Sequence, residues 1–475
     1  MDSRELAFAG AARQAELIRQ GEVSPRELVD LCLERIERLE PRLNAFRVIW
    51  AERARAEADQ AAARARGGEQ RPLLGVPVAV KDNVDVAGEV TMHGTAAFET
   101  PARADSEVVR RLRAAGAIVI GKTHLPEFAV WPQTQTATYG ATVNPWHAGY
   151  GPGGSSGGSG TAVAAGLVGL AHASDGGGSI RNPAAHCALF GLKPQLGRVS
   201  LAPDLEHWKG LSVYGCLSRT VADTALFLDA IAGPVAGSGH GEPSPPAPVR
   251  PFAESAAATP GRLRIAVSTK PPIQPARVDD RVRRAVEETA DLLRSLGHDV
   301  SERDPDYGRA PLQLIFGPHY FRGALEDFEK AEHPELVERR TRGLARLGRL
   351  IPDGVLARAR ADTQVWARNV QRFWGDFDVL LMPTIPGLPG RLNEMEGLGT
   401  ARMMNASGPI VTFTAPWNLT GQPAASVPAG WTAEGVPLAV QIVGRPNDEA
   451  TLLSLAGQLE RERPWADRLP PLAAD

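Results

Sequence analysis

The chain has 475 residues, enough to bury a large core as one α/β unit or as two to three smaller domains. With 52 basic and 55 acidic side chains and a net charge of −3, it carries no electrostatic footprint for nucleic acid. No stretch reaches the ~18 uninterrupted apolar residues of a membrane span, and three dispersed cysteines (Cys32, Cys187, Cys216) make no disulfide framework. Met1 to Leu17 has charges from Asp2 onward and no apolar signal core, so a cytoplasmic location is expected.

In chain order, Leu6, Ala12, Leu17 and Ile18 predict a first helix ending at Gly21. Ser24-Pro25-Arg26-Glu27 is a capping box with proline at the first helical position. Leu28, Leu31, Cys32, Ile36 and Leu39 follow on one helical face. Ala51 to Arg66, alanine-rich and charged, predicts an exposed helix. Leu73 to Val80 reads as a strand ending at Lys81, with Pro77 restricting its hydrogen bonds or placing a bulge. Val108, Val109 and Leu112 predict an amphipathic helix stopped at Gly116, and Ala117 to Ile120 a short buried strand. Strand, helix and strand in this order predict a βαβ crossover in a parallel or mixed sheet.

The stretch from Gly151 to Arg181 carries two Gly/Ser turns, Gly153 to Ser159 and Asp175 to Ser179. They bracket an apolar run, Ala162 to Ala173, read as a buried helix. Consecutive peptide N–H groups beside a serine are what an oxyanion hole needs, so the turns read as two walls of one small site. Further on, Val221 to Ile231 predicts a helix. Residues 233–262 are rich in Pro, Gly and Ser and read as a solvated loop. Leu263 to Val267 predicts a strand, Val282 to Leu296 a helix, and 305–376 a charged helical region with scattered aromatics that shapes a substrate pocket. Phe377 to Met382 and Leu438 to Val443 predict two more strands. The whole chain, 1–475, is read as one domain: N-terminal helices over 1–70, a core over 71–232, the loop, and the rest of the sheet over 263–475.

Two motif matches mislead. Gly116 to Thr123 (GAIVIGKT) fits the phosphate-loop string, but its middle residues are an apolar strand and cannot curl round an anion. Gly154 to Gly158 fits GxSxG, with Ser156 as its serine, but a nucleophile elbow must follow a buried strand; Asn144 to Tyr150 is turn-like instead. The ten histidines are dispersed and no HExxH or paired CxxC occurs, so no metal and no cofactor are expected. His186-Cys187 reads as core packing. What remains is serine chemistry with a lysine base. Lysine can accept a proton only when neutral, which burial brings about. Lys81 meets that need if buried; spacing alone does not separate this role from a surface pair with Asp82.

Taken together, Gly75 to Asn83, Gly121 to Phe128, Pro152 to Ser159, Asp175 to Ala184, Gly191 to Pro194, Asp378 to Pro383 and Asn418 to Pro423 resemble the amidase signature family in order and spacing. The resemblance implies an α/β/α sandwich with a central mixed β-sheet flanked by helices. It aligns Ser179 with the acylating nucleophile, Ser155 with a bridging serine after a cis peptide bond, and Lys81 with the base. It implies an oxyanion hole from the backbone N–H groups of Gly176, Gly177, Gly178 and Ser179, held by Asp175 and Arg181. The implied activity is cleavage of a small, aryl or alkyl amide, with carbamates (urethanes) and esters open to the same chemistry.

Trp131, Trp146, Trp208 and Trp417, near these blocks, suggest an apolar or aromatic substrate, although core packing is the ordinary role of tryptophan. Three positions depart from common patterns. His124 replaces asparagine, and Gly176 makes a third consecutive glycine. Pro126 stands where glutamine-hydrolysing subunits of tRNA-dependent amidotransferases, the alternative reading, often have aspartate. A small-molecule amide is the expected partner; a homodimer is left open.

Overall fold

The computed structural model describes residues 2–235, 244–272, 276–308 and 312–474. Among them β1 (Phe46–Ile49), β2 (Pro77–Lys81) and β3 (Ile118–Thr123) precede a short hairpin of β4 (Gln135–Thr136) and β5 (Gly140–Ala141). Then come β6 (Leu170–Asp175), β7 (Gly191–Lys193), β8 (Val213–Ser218), β9 (Arg264–Val267) and β10 (Asp299–Glu302). β11 (Val379–Pro383), β12 (Ala424–Trp431) and β13 (Pro437–Gly444) complete the set. One sheet runs β1-β3-β2-β6-β8 and another β10-β9-β11-β13-β12-β7. A bridge between Phe190 and Ser218 joins their edges, each residue's N–H donating to the other's carbonyl, at 3.0 Å from Phe190 and 3.2 Å from Ser218. β2 is parallel to β3 and β6, whereas β6 and β8 are antiparallel. The result is the expected mixed sheet flanked by helices.

Period-two alternation explains how the strands bury both faces. Val78, Val80, Val119 and Leu170 belong to one hydrophobic cluster. Ala79, Ile118, Ile120, Ala171 and Ala173 belong to the cluster on the other face. Lys81 stands at the end of β2 on the face of Ala79. The register of β2 against β3 shifts between Val78 and Ala79, next to Pro77, which has no N–H to give.

Several expectations hold locally. Ser24 Oγ accepts the Glu27 N–H at 3.2 Å and the Ser24 N–H reaches Glu27 Oε2 at 2.7 Å, so the capping box starts the helix Pro25–Leu43. Others change. The first helix is two, Ser3–Phe8 and Gly10–Gln20. Ala51–Arg66 is a helix, but Ala54, Ala58, Ala61 and Ala62 are buried, so it is not exposed on that face. The run read as one buried helix splits into the helix Gly157–Ala164, a turn at Gly166 (φ +63°) and β6. β6 is buried on both faces in mid-sheet, so its sequence lacks the alternation that marks a strand.

Of the Pro/Gly-rich segment, 236–243 lie outside the described residues, and Phe252–Ala257 forms a short helix. The helical region contains Leu312–Glu329, Arg339–Arg349 and Asp353–Phe373; residues 309–311 lie outside the description.

Candidate active site

Lys81 is fully buried. Its Nζ donates to Ser155 Oγ at 2.7 Å and to Ser174 Oγ at 2.8 Å. Burial pushes the amine down to about 7, against the opposing attraction of Asp175. The alternative partner, Asp82, is taken: Arg47 Nε lies 2.7 Å and Lys122 Nζ 3.0 Å from its carboxylate. Lys122, within β3, therefore shares with Arg47 the neutralisation of a buried acid, and the phosphate-loop string is part of the sheet.

Ser155 is buried and follows a cis bond from Gly154. Ser156, the serine of the GxSxG string, turns inward and donates to the Ser174 carbonyl at 3.2 Å. Ser179 lies at the edge of a cavity of about 330 Å³, and it is the one residue of Gly176 to Arg181 that is not fully buried.

The loop carrying Ser179 is held from behind. Asp175 accepts Arg181 Nε and Nη2 at 3.0 and 2.9 Å, the Gly178 N–H at 2.7 Å and the Ile180 N–H at 3.1 Å. Burial alone would raise the Asp175 pKa, but the Arg181 guanidinium holds it well below the usual carboxylate range. Arg181 also donates to Asn418 Oδ1 at 2.7 Å and Gln441 Oε1 at 2.9 Å. Thr414 Oγ1 donates to the Gly177 carbonyl at 2.7 Å. Asn418 Nδ2 donates to the Asp175 carbonyl at 2.9 Å.

These bonds amend the four-donor expectation. The Gly178 N–H is committed to Asp175, leaving the amides of Gly176, Gly177 and Ser179. Gly178 has φ +134°, and a Cβ there would come 2.8 Å from Asn182 Nδ2, so this turn requires glycine.

Trp131, Trp208, Phe316, Tyr320, Phe321 and Met404 wall the cavity, and among the described residues no charged side chain lines it. The polar ends of the aromatics point backward. Trp131 Nε1 donates to Thr341 Oγ1 at 3.1 Å, Tyr320 Oη to the Val130 carbonyl at 2.7 Å, and Trp208 Nε1 to Asp327 Oδ2 at 2.8 Å. The cavity thus receives their apolar faces.

Trp146 and Trp417 lie elsewhere. Trp146 packs on Trp431 at 5.4 Å between ring centres, and Trp417 is core. His124 is buried against Tyr139, and desolvation lowers its pKa to about 4. Sequence reasoning missed Ser174, Thr414 and Gln441. Asn418 lay within a matched block but received no role. Among the described residues, no group of three or more His, Cys, Asp or Glu is placed to hold a metal ion. No helix among them is long and apolar enough to cross a membrane.

The Amidase family model matches residues 27–453. The chain is 48% identical over 474 residues, the full length of both, to the putative amidase AmiB2 of Mycobacterium tuberculosis. A solved structure of 6-aminohexanoate cyclic dimer hydrolase complexed with substrate matches with a TM-score of 0.91 at 32% identity, covering 98% of this chain and 99% of that one. Peptide amidase from Stenotrophomonas maltophilia matches with a TM-score of 0.80 at 26% identity, covering 97% and 98%. Fold and relatives together define a hydrolase of amide carbon–nitrogen bonds. The chain belongs to the amidase signature family.

Proposed function

We propose that this amidase cleaves a neutral amide with an apolar or aromatic acyl group, through an acyl-enzyme on Ser179. The observation that carries the reading is the 2.7 Å contact from a buried Lys81 Nζ to Ser155 Oγ, beside a cavity that contains Ser179 and, among the described residues, no charged side chain. Neutral Lys81 draws the proton of Ser155 as Ser155 takes that of Ser179, and Ser179 Oγ attacks the carbonyl carbon. The N–H groups of Gly176, Gly177 and Ser179 stabilise the oxyanion. Ser155 returns a proton to the amine as the C–N bond breaks, and water releases the acid from Ser179. Carbamates and esters pass through the same tetrahedral geometry.

The family's amide-cleaving members, the cyclic dimer hydrolase and the peptide amidase among them, support the reaction class. The glutamine-hydrolysing alternative needs groups to hold an ammonium and a carboxylate. The lining, uncharged among the described residues, argues against it.

The test is peptide-level mass spectrometry after a serine-directed fluorophosphonate. A single adduct on Ser179, absent in Ser179→Ala and slowed in Lys81→Ala, is expected, along with loss of amide hydrolysis in both variants. An adduct on Ser156 would overturn the assignment.

A further inference from the structure

Trp208 is wedged between the loop that bears Ser179 and the helix Leu312–Glu329, and both neighbours are glycine where it touches them. A Cβ at Gly176 would fall 2.6 Å from Trp208 Cε3, and one at Gly323 would fall 2.7 Å from Trp208 Cα and 2.7 Å from its Cδ1. With the indole in place, neither position can carry a side chain. The ring is fixed from its far end by the Nε1 bond to Asp327, whose carboxylate also meets His207 Nε2 at 2.9 Å. Tyr320 packs edge-on at 5.4 Å. The third glycine of the nucleophile loop is therefore the complement of this tryptophan.

The two ends of the cavity differ. The leaving amine must meet Ser155, and Gly154, beside Ser155, abuts Pro132 and Gln133. Trp208 and Phe316 instead adjoin Gly176 and Gly177. We infer that Trp208 is a specificity-determining residue that limits the bulk of the acyl group; this rests on Ser179 being the nucleophile.

The test compares p-nitroanilides of acetic, butyric, isobutyric and benzoic acids on wild type, Trp208→Phe and Trp208→Ala. The ratio of kcat/KM for benzoyl over acetyl should rise about 10-fold or more in Trp208→Ala, with Trp208→Phe between. Varying the aniline ring should leave that ratio alone. Gly176→Ala should lower activity more in wild type than in Trp208→Ala, because the added methyl meets the ring only when the ring is there.

An unchanged ratio in both Trp208 variants, while a methyl fluorophosphonate still labels Ser179 at the wild-type rate, would overturn the inference and leave the nucleophile assignment standing. A ratio that follows the aniline half would also overturn it. Absence of label on Ser179 in wild type would remove the nucleophile assignment, and the inference with it.

Discussion

At the scale of single residues, the proposed mechanism turns on the protonation of Lys81. Its ammonium is stripped of water, so the neutral form is favoured and the pKa falls to about 7, near the pH at which a general base works best. Only the neutral amine can accept the Ser155 proton, so kcat/KM should rise as pH increases through about 7 and then level off. A profile flat from pH 5.5 to 8.5 would remove Lys81 from the mechanism. Lys81→Ala should lower kcat/KM by about 10²–10⁴-fold, and Lys81→Arg should not restore it because guanidinium stays charged. None of this was decidable from spacing, since Lys81 and Lys122 each end or lie within an apolar strand. Which of them meets Asp82 depends on the parallel pairing of β2 with β3.

At the scale of elements, the turn from Asp175 to Arg181 is a self-closed device. One carboxylate takes two loop amides and a bidentate guanidinium, and the N–H groups of Gly176, Gly177 and Ser179 are not among its partners. Removing one partner of a buried pair leaves the other charge uncompensated. Arg181→Met should therefore cost about 3–5 kcal/mol, read as a lower urea midpoint, with amidase activity lost even where the variant remains folded. A midpoint equal to wild type would show that the pair does not hold the loop.

Elements with local signals were legible: the capping box at Ser24 needs only four residues to define itself. β6 and β12 were not, because strands buried on both faces have neither alternation nor polar punctuation. Their identity comes from the neighbours that satisfy their backbone.

For the whole molecule, residues far apart in the chain converge on one largely apolar cavity, from Trp131 through Trp208 and Phe316 to Val411. Nucleophile, base and oxyanion donors are all proposed to come from this chain. The isolated protein should thus hydrolyse apolar anilides without a partner subunit, and exhaustive dialysis against EDTA should leave the rate unchanged. Free glutamine should release no measurable ammonia. Ammonia release from glutamine on adding a partner subunit would support the amidotransferase reading instead.

The sequence by itself determined the resemblance to the family and the positions that line up with its site: seven short blocks are each legible because each carries its pattern within a few consecutive residues. Glycine spacing, a serine in each turn and a lysine at a strand end are patterns that can be read without a fold. Tertiary structure alone decided which lysine is free of a carboxylate, which loop amide is already spent on Asp175, and which tryptophans face the cavity. These depend on contacts between segments as distant as Asp175 and Asn418 or Gly176 and Trp208, and burial and pairing at such distances arise only when the sheet brings them together.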